Sequence, residues 1–515
     1  MRHAALLTDI AALHVVVAGA GTAGASAARF LSDRGARVAV ADDRAGAALP
    51  GLEVVPTSAV VRDGALADDV DLLIVSPGFR PESAVVTAAR ASGVPVWGEV
   101  ELAWHVDTSG LLGPARTWIV VTGTNGKTTT TSMVEAIVER SPRTVAACGN
   151  IGLPVLDALV AEPRVDVLAA ELSSFQLFWA PSVIPTAGVV LNIAEDHLDW
   201  HGSMDAYVAA KAGALRGPLA VVGGDDPVAG SMSGAAPDAR TVRTRLGPPA
   251  DGEVGVLDGH IVDRAFGPDR APRRVVGVDG LRPPGPPGMA DATAAAALCL
   301  GIGIDPDTVA AGLSGFIPGR HRGEIVARWG DVAAVDDSKA TNPHAAQASI
   351  AARRRVVLVG GGQLKGAAVD DLIVAVADRV AGAVLLGVDR EVIAGAIARH
   401  APAIPTVTLF TGDDGRVNAM PVVSGADDTA VDRAERAAVA ASALPADESR
   451  TPAEQVMDAA VVAAHSLVGS APESVDAVLL APAAASLDMF PGYGARGDAF
   501  AAAAIAAGAT PEARA

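Results

Sequence analysis

Trp118-Ile119-Val120-Val121-Thr122-Gly123-Thr124-Asn125-Gly126-Lys127-Thr128-Thr129 is the stretch on which the fold turns. A β-branched run stops at a loop of Gly, Asn, Lys and Thr, and Thr130 to Arg140 then have helical composition. Strand, loop and helix in that order read as a phosphate loop. Backbone N–H groups of Gly123, Thr124, Asn125, Gly126 and Thr129 would wrap phosphates, Lys127 would neutralise β/γ oxygens, and the Thr128 hydroxyl would ligate Mg²⁺. The full spacing asks for Gly at position 121, where this chain has Val, so Gly123 opens a variant loop. The bland alternative is a chance strand–GxxGKT–helix.

Working outward, short β-branched runs alternate with Ala-rich stretches of helical length. They are His14–Ala18, Val38–Ala41, Leu72–Ser76, Trp118–Thr122, Val165–Ala170, Gly188–Asn192, Leu219–Val222, Val332–Asp336, Val356–Gly360, Ala383–Gly387 and Ala477–Leu480. Such alternation predicts an α/β chain of parallel sheets and crossover helices, with ligands at the carboxyl ends of the strands. At about 100–200 residues per domain, 515 residues favour three. Interruptions near Thr108–Ala115 and Phe316–Gly323 place them at 1–112, 113–318 and 319–515, with Pro318-Gly319 as a candidate hinge. The first and last read as Rossmann-like, the middle as a P-loop ATPase-type sheet. Gly247–Gly288 is expected to form loops and short strands at the edge of the middle domain. Asp413–Pro452 shows no strand signal and is expected to be an insertion, either a helix or a mobile loop.

Half the chain is apolar but only 3% is aromatic, so the cores must be built from Ala, Val, Leu and Ile. Forty basic against 59 acidic residues give a formal charge of −19, which repels nucleic acid and anionic membrane. No run of five or more Lys or Arg overrides it. Cys148 and Cys299 lack CxxC partners, excluding a disulfide framework or zinc ribbon. No stretch reaches the roughly 18 apolar residues of a membrane span, and Thr8, Asp9 and His14 interrupt the apolar start. The expectation is a cytoplasmic monomer with small-molecule substrates, no nucleic-acid partner and no stable membrane insertion.

Gly19-Ala20-Gly21-Thr22-Ala23-Gly24 sits between a strand and a helix reaching Arg34, and Asp42 ends the next strand. That is the dinucleotide fingerprint, and it fits a diphosphate-bearing ligand, NAD or NADP, or a structural turn. Glu171 closes one middle-domain strand, and Asn192 to His197 close the next. Their carboxylates and imidazole suit Mg²⁺ beside a triphosphate, against the plain readings of a capping acid and a surface histidine. His197 and His201 hint at zinc, but no third ligand stands at metal spacing. Lys211 by itself reads as a solvated helix lysine. In the last domain, Asp336–Asn342, Gly360–Gly366 and Ala485–Phe490 follow strands, and Tyr493, Arg496, Gly497 and Phe500 lie beyond. Three such loops outline a pocket for a small anion, against ordinary turn chemistry.

Together these residues resemble the Mur ligases, ATP-dependent amide-forming enzymes of peptidoglycan precursor synthesis. Gly123–Thr128, Glu171-Leu172-Ser173-Ser174-Phe175-Gln176-Leu177 and Asn192-x-x-x-Asp196-His197-x-Asp199 are similar to central-domain signatures of the family. Asp337-Ser338-Lys339-Ala340-Thr341-Asn342, Gly361-Gly362-x-x-Lys365-Gly366 and Ser486-Leu487-Asp488-x-Phe490 resemble its D-glutamate-adding branch, over essentially the whole chain. The resemblance implies that the first domain holds the UDP of UDP-N-acetylmuramoyl-L-alanine through Thr22, Ala23, Asp42, Asp43, Arg44, Ser76, Pro77 and Gly78, and that Asn150, from the middle domain, also contacts the nucleotide sugar. It implies two Mg²⁺ ions held by Thr128, Glu171, His197 and a carbamylated Lys211 (N6-carboxylysine), with Lys127, Lys211, Glu171 and His197 catalytic. Arg322 and Asp337 match ATP contacts. Lys339, Thr341, Lys365, Ser486 and Phe490 match the D-glutamate site or the transferred phosphoryl group.

The chain departs from the family at Pro287-Gly288-Met289-Ala290-Asp291, where His-Asn-x-x-Asn usually contacts adenine, and at Ala484 and Leu364, where Cys and an acid are common. Other readings are a sister ligase or folylpolyglutamate synthase, a nicotinamide-dependent dehydrogenase, and a non-catalytic nucleotide-binding paralogue. The DSKATN segment argues against the first pair. The dehydrogenase leaves Lys127, Glu171 and His197 idle.

Overall fold

The computed structural model describes residues 6–44, 46–67, 69–232, 238–267, 271–423, 427–445, 447 and 449–512. These residues form two compact units, one of 1–281 with 288–316 and one of 282–287 with 317–515.

The first unit contains two large sheets. In the five-stranded sheet, His14–Ala18 pairs in parallel with Arg37–Ala41 on one side and Leu72–Val75 on the other. Val54–Val55 and Val96–Gly98 take the edges. The nine-stranded sheet runs Arg273–Gly277, His260–Asp263, Val254–Leu257, Arg240–Thr244, Leu219–Gly223, Ala187–Val190, Thr117–Thr122, Val167–Glu171, Val145–Gly149. Its last six strands are parallel, while the hairpins of 254–277 run antiparallel at one edge, where the Gly/Pro-rich stretch was expected.

Buried on both faces, the central strands of a parallel sheet have no need of polar alternation. Ile119, Val120 and Val121 are accordingly fully buried. Ala292 and Ala294 to Ala297, on helix Pro286–Gly301, are as deeply buried, and their small side chains let that helix approach the sheet closely. A buried ion pair fixes the connection into the nine-stranded sheet. Asp107 accepts from the Arg116 backbone N–H (2.9 Å), from Arg116 Nη1 (2.7 Å) and from Trp118 Nε1 (2.9 Å). Both charges are thus paired and hydrogen-bonded, as burial requires.

The second unit is built on an eight-stranded sheet: Val417–Pro421, Thr406–Thr411, Val380–Leu386, Val356–Gly361, Ala477–Leu480, Val332–Asp336, Glu324–Trp329, Thr510–Pro511. The five strands from 406–411 to 332–336 are parallel. Within Asp413–Pro452, of which residues 424–426, 446 and 448 lie outside those described, the structure has the helix that was one of the two expectations and corrects the expected absence of a strand. Val417–Pro421 is a strand, antiparallel to Thr406–Thr411, and Asp428–Ser442 is a helix capped by the Asp427 side chain. Val-Asn-Ala-Met-Pro carries a single β-branched residue, and Pro421 is tolerated because the strand is an edge. Val145–Gly149, with one β-branched residue, escaped the sequence reading for the same reason. Among the described residues, no helix is long and apolar enough to cross a membrane.

Candidate active site

In the five-stranded sheet the glycine loop follows its strand as the fingerprint requires, and helix Thr22–Ser32 starts from it. Gly24 has no substitute. A Cβ there would lie 1.8 Å from the Gly19 carbonyl oxygen. Asp42 does not stand free at its strand end. It accepts from the Ala20 backbone N–H (2.7 Å) and from Arg44 Nη2 (2.6 Å), and the Arg44 guanidinium holds its carboxyl below the usual carboxylate range. Asp43 accepts from the Thr57 N–H at 2.7 Å, and Ser76 Oγ donates to the Gly19 carbonyl at 3.2 Å. Thr22, Ala23, Asp42, Asp43, Arg44 and Ser76 therefore rim one sheet end. Pro77 and Gly78 continue from Ser76.

The phosphate loop lies at the carboxyl end of Thr117–Thr122, and helix Lys127–Val138 begins inside the motif rather than at Thr130. Gly126 starts it with φ 82°, in the left-handed region. The loop is tied to the neighbouring strand end, since the Thr124 N–H donates to the Asn192 carbonyl (2.9 Å) and the Asn125 N–H to Asn192 Oδ1 (2.8 Å). Lys127 Nζ curls over the loop and donates to the carbonyls of Gly123 (3.0 Å) and Thr124 (2.7 Å). Thr128, half-buried in the first helical turn, and the buried Thr129 complete it.

Glu171 and Lys211 come to the same place from different elements. Glu171 ends strand Val167–Glu171 and is 1% exposed. Its Oε1 accepts from Asn150 Nδ2 at 2.8 Å, while its buried Oε2 has no hydrogen-bond partner. An orphaned carboxylate oxygen beside a phosphate loop is suited to a hard cation, so the donor set fits Mg²⁺. Lys211, on helix Met204–Ala212, is 2% exposed, and its Nζ donates to the Gly123 carbonyl at 2.7 Å. Burial, reinforced by the neighbouring charge of Lys127, pushes its pKa well down and favours the free amine. The solvated-lysine reading is therefore wrong: the helix turns this residue inward, over the ring of Tyr207 at 4.7 Å.

His197 is half-exposed in a left-handed conformation (φ 55°), caps the short helix Leu198–His201, and lies 4.7 Å from the Phe175 ring, centroid to centroid. His201 lies against the same Phe175 ring, its Nε2 2.9 Å from Ser174 Oγ, and burial lowers its pKa to about 4. The adenine-segment departure falls in the first turns of helix Pro286–Gly301. There Asp291 is buried, and its Oδ1 accepts from Thr130 Oγ1 at 3.2 Å.

In the second unit the three loops of the sequence reading meet at the carboxyl ends of adjacent strands. Asp336 is fully buried, accepts from the Ser338 N–H at 2.9 Å, and lies 2.6 Å from His321 Nδ1. Asp337 is half-buried, and burial pushes its carboxyl up to about 6 against the opposing pull of Ser349 and Arg322. Lys339 Nζ lies 4.1 Å over the Tyr493 ring. Thr341 is half-buried, Lys365 exposed with φ 55°, and Ser486 and Phe490 buried, with the Phe490 N–H donating to the Ser486 carbonyl at 2.8 Å.

Arg496 joins these loops and was not singled out for a role by its spacing. At 1% exposure it donates from Nε to Ser338 Oγ (3.0 Å), from Nη2 to the Ser338 carbonyl (2.9 Å) and from Nη1 to the carbonyls of Ala484 (3.0 Å) and Gly361 (3.4 Å). Asn192, in the strand-end motif, and Asp291, in the altered adenine segment, were legible as positions, but not their contacts to the phosphate loop and to Thr130. Tyr207, four residues before Lys211 on one helix, had no role in the sequence reading, although that spacing places the two side chains together.

A P-loop beside a parallel sheet, a buried lysine and a buried unsatisfied carboxylate define a nucleotide-dependent phosphoryl-transfer site. Family models match at residues 121–246 (Mur ligase middle domain) and 13–98 (Mur ligase MurD-like, N-terminal domain). The chain is 52% identical over 491 residues to the UDP-N-acetylmuramoylalanine--D-glutamate ligase of Rhodococcus jostii, covering 94% of each chain. It is 50% identical to the ligase of the same name from Mycolicibacterium vanbaalenii, covering 96% of this chain and 98% of that one. The fold is shared with a pseudomurein peptide ligase type C from Methanothermus fervidus, with TM-score 0.51 and 17% identity over 96% of this chain and 100% of the other. The chain belongs to the Mur ligase family.

Proposed function

We propose that this chain is the ATP-dependent ligase that joins D-glutamate to the alanyl carboxylate of UDP-N-acetylmuramoyl-L-alanine, in peptidoglycan precursor synthesis. The observation that carries the reading is the gathering of Lys127, Glu171 and Lys211 around one phosphate loop. About 50% identity over nearly the whole chain to ligases of that name supports the substrates.

A carboxylate is a poor electrophile, so its oxygen first attacks the γ-phosphorus of ATP, releasing ADP and forming an acyl phosphate. The free amine of D-glutamate then attacks the acyl carbon, and phosphate leaves from the tetrahedral intermediate with loss of a proton from nitrogen. The backbone of Gly123–Thr128 orients the triphosphate, and the Lys127 ammonium, released from its loop carbonyls, neutralises the transferring oxygens. Mg²⁺ supplies further neutralisation of that charge when bound. Thr128, Glu171, His197 and a carbamylated Lys211 would hold two ions. The neutral amine that burial favours at Lys211 is the form that adds CO₂, losing a proton to become a carbamate anion beside Lys127. Thr22, Ala23, Asp42, Asp43, Arg44, Ser76, Pro77, Gly78 and Asn150 bind the nucleotide sugar. Arg322 and Asp337 contact ATP, and Lys339, Thr341, Lys365, Ser486 and Phe490 bind D-glutamate. The three-domain division at 112 and 318, and action as a cytoplasmic monomer on small molecules, belong to the same proposal.

Phosphate release with ATP, Mg²⁺ and UDP-N-acetylmuramoyl-L-alanine tests the reading, with D-glutamate compared with L-glutamate, L-alanine, L-lysine and meso-diaminopimelate. Release dependent on D-glutamate alone is expected. Release with another acceptor, or with none, would refute it.

A further inference from the structure

Aromatic residues are scarce in this chain, with only six Trp, nine Phe and two Tyr, yet Phe175, Phe178, Trp179 and Trp200 crowd together in the first unit. Most core positions elsewhere are aliphatic, with Phe30, Trp97, Trp118 and Phe500 among the exceptions, so four large rings at one place form an unusually dense set of aromatic contacts for this chain. Its two indoles point the same way. Trp200 Nε1 donates to the Gly78 carbonyl at 3.2 Å, and Trp179 Nε1 donates to the Phe79 carbonyl at 3.1 Å. Both bonds land on the loop that follows strand Leu72–Val75. Arg80 and Asp199 add a long pair at 3.5 Å, exposed and therefore weak.

The opposite side of the cluster meets His197. The Phe175 ring lies 4.9 Å from the ring of Trp200 and 4.7 Å from that of His197, and it stacks on His201 at 5.6 Å. Trp200 and His197 share the four-residue helix Leu198–His201 and its cap, so a shift of the indole moves the imidazole through both ring contact and backbone. Rings in van der Waals contact transmit such displacements because packed side chains have few alternative arrangements.

We propose that Trp200 is a positioning residue that couples occupancy of the Ser76–Gly78 loop to the setting of His197. The proposal rests on the ligase reading, in which the first loop binds the nucleotide sugar and His197 serves the triphosphate and its cation. Binding at Ser76–Gly78 fixes the Gly78 carbonyl. The indole follows it, Phe175 is held between Trp200 and His197, and His197 is set for phosphoryl transfer only when the sugar is in place. The coupling is reciprocal, so bound nucleotide must tighten sugar binding by the same factor.

Calorimetry on the full chain tests this, using the β,γ-imido analogue of ATP with Mg²⁺, with and without saturating UDP-N-acetylmuramoyl-L-alanine. Because one N–H···O bond anchors the link, the wild-type ratio of affinities is expected to be about two- to ten-fold. Trp200→Phe keeps a ring but removes the donor, and should bring the ratio to about one while analogue affinity without sugar stays unchanged. Phe175→Leu breaks the other end, leaves the Trp200–Gly78 bond in place, and should give the same loss; it also decides the matter if Trp200→Phe does not fold. A wild-type ratio of one, or a ratio unchanged in the variants, overturns the coupling. A wild-type chain that binds the analogue but no nucleotide sugar overturns the ligase reading and this one with it.

Discussion

Gly126→Ala probes the phosphate loop at its most constrained point. Position 126 has φ 82°, and an added Cβ would lie 2.2 Å from Asp291 Oδ1. Holding an L-residue in the left-handed region costs about 1–2 kcal/mol. Pushing Asp291 aside gives up its bond from Thr130 Oγ1, worth about 1 kcal/mol. The sum is about 2–3 kcal/mol, which for a unit made of residues 1–281 and 288–316 lowers the apparent melting temperature by roughly 3–5 °C. Asp291→Ala in the same chain removes the collision but not the backbone strain. Asp291→Ala alone gives up the same Thr130 bond, so the double variant should be about as stable as Gly126→Ala, the two losses not adding, while both variants bind ATP more weakly than wild type. Differential scanning calorimetry and nucleotide titration measure the two effects. A double variant that loses the full sum of the two single losses would refute the collision, and undiminished ATP binding in Gly126→Ala would remove the loop from the nucleotide site.

Three further outcomes are expected. Lys211→Met should abolish phosphate release yet leave the melting temperature equal or higher in bicarbonate-free buffer. The folded pKa of Lys211 is depressed, so below the unfolded value near 10.4 its protonation favours the unfolded chain and burial costs stability; a marked drop in melting temperature would contradict that sign. Arg496→Lys keeps the charge but loses the guanidinium fork, and should destabilise the second unit by about 2–4 kcal/mol and raise KM for D-glutamate more than for ATP; an unchanged D-glutamate KM would refute its part in shaping the acceptor loops. Asp337, with its carboxyl raised to about 6, binds a proton more tightly folded than unfolded, so its contribution to stability is present at low pH and is lost as pH rises from about 4 to 6. Asp337→Asn should flatten that decline, on the order of 2 kcal/mol given partial exposure to water, and an unchanged stability–pH curve in the variant would refute the burial cost.

The α/β class and most strands of the parallel sheets were legible from the residues alone, because strands buried on both faces read as short β-branched runs that end in turn residues and alternate with stretches of helical length. Sequence also located the phosphate loop, whose Gly, Lys and Thr perform their tasks within one turn of chain. The edge strands Val145–Gly149 and Val417–Pro421 were illegible, since short strands with one β-branched residue owe their existence to the neighbour that pairs with them. Lys211 shows most plainly what only tertiary structure decides. In sequence it is one lysine on a short helix, and only the packing of that helix buries its nitrogen against Gly123 and sets its charge. The same holds for Asp291 and Arg496, whose partners Thr130 and Ser338 lie more than a hundred residues away in the chain. Distance along the chain hides such pairs, because burial and charge compensation depend on which surfaces meet in space and not on the order in which residues are joined.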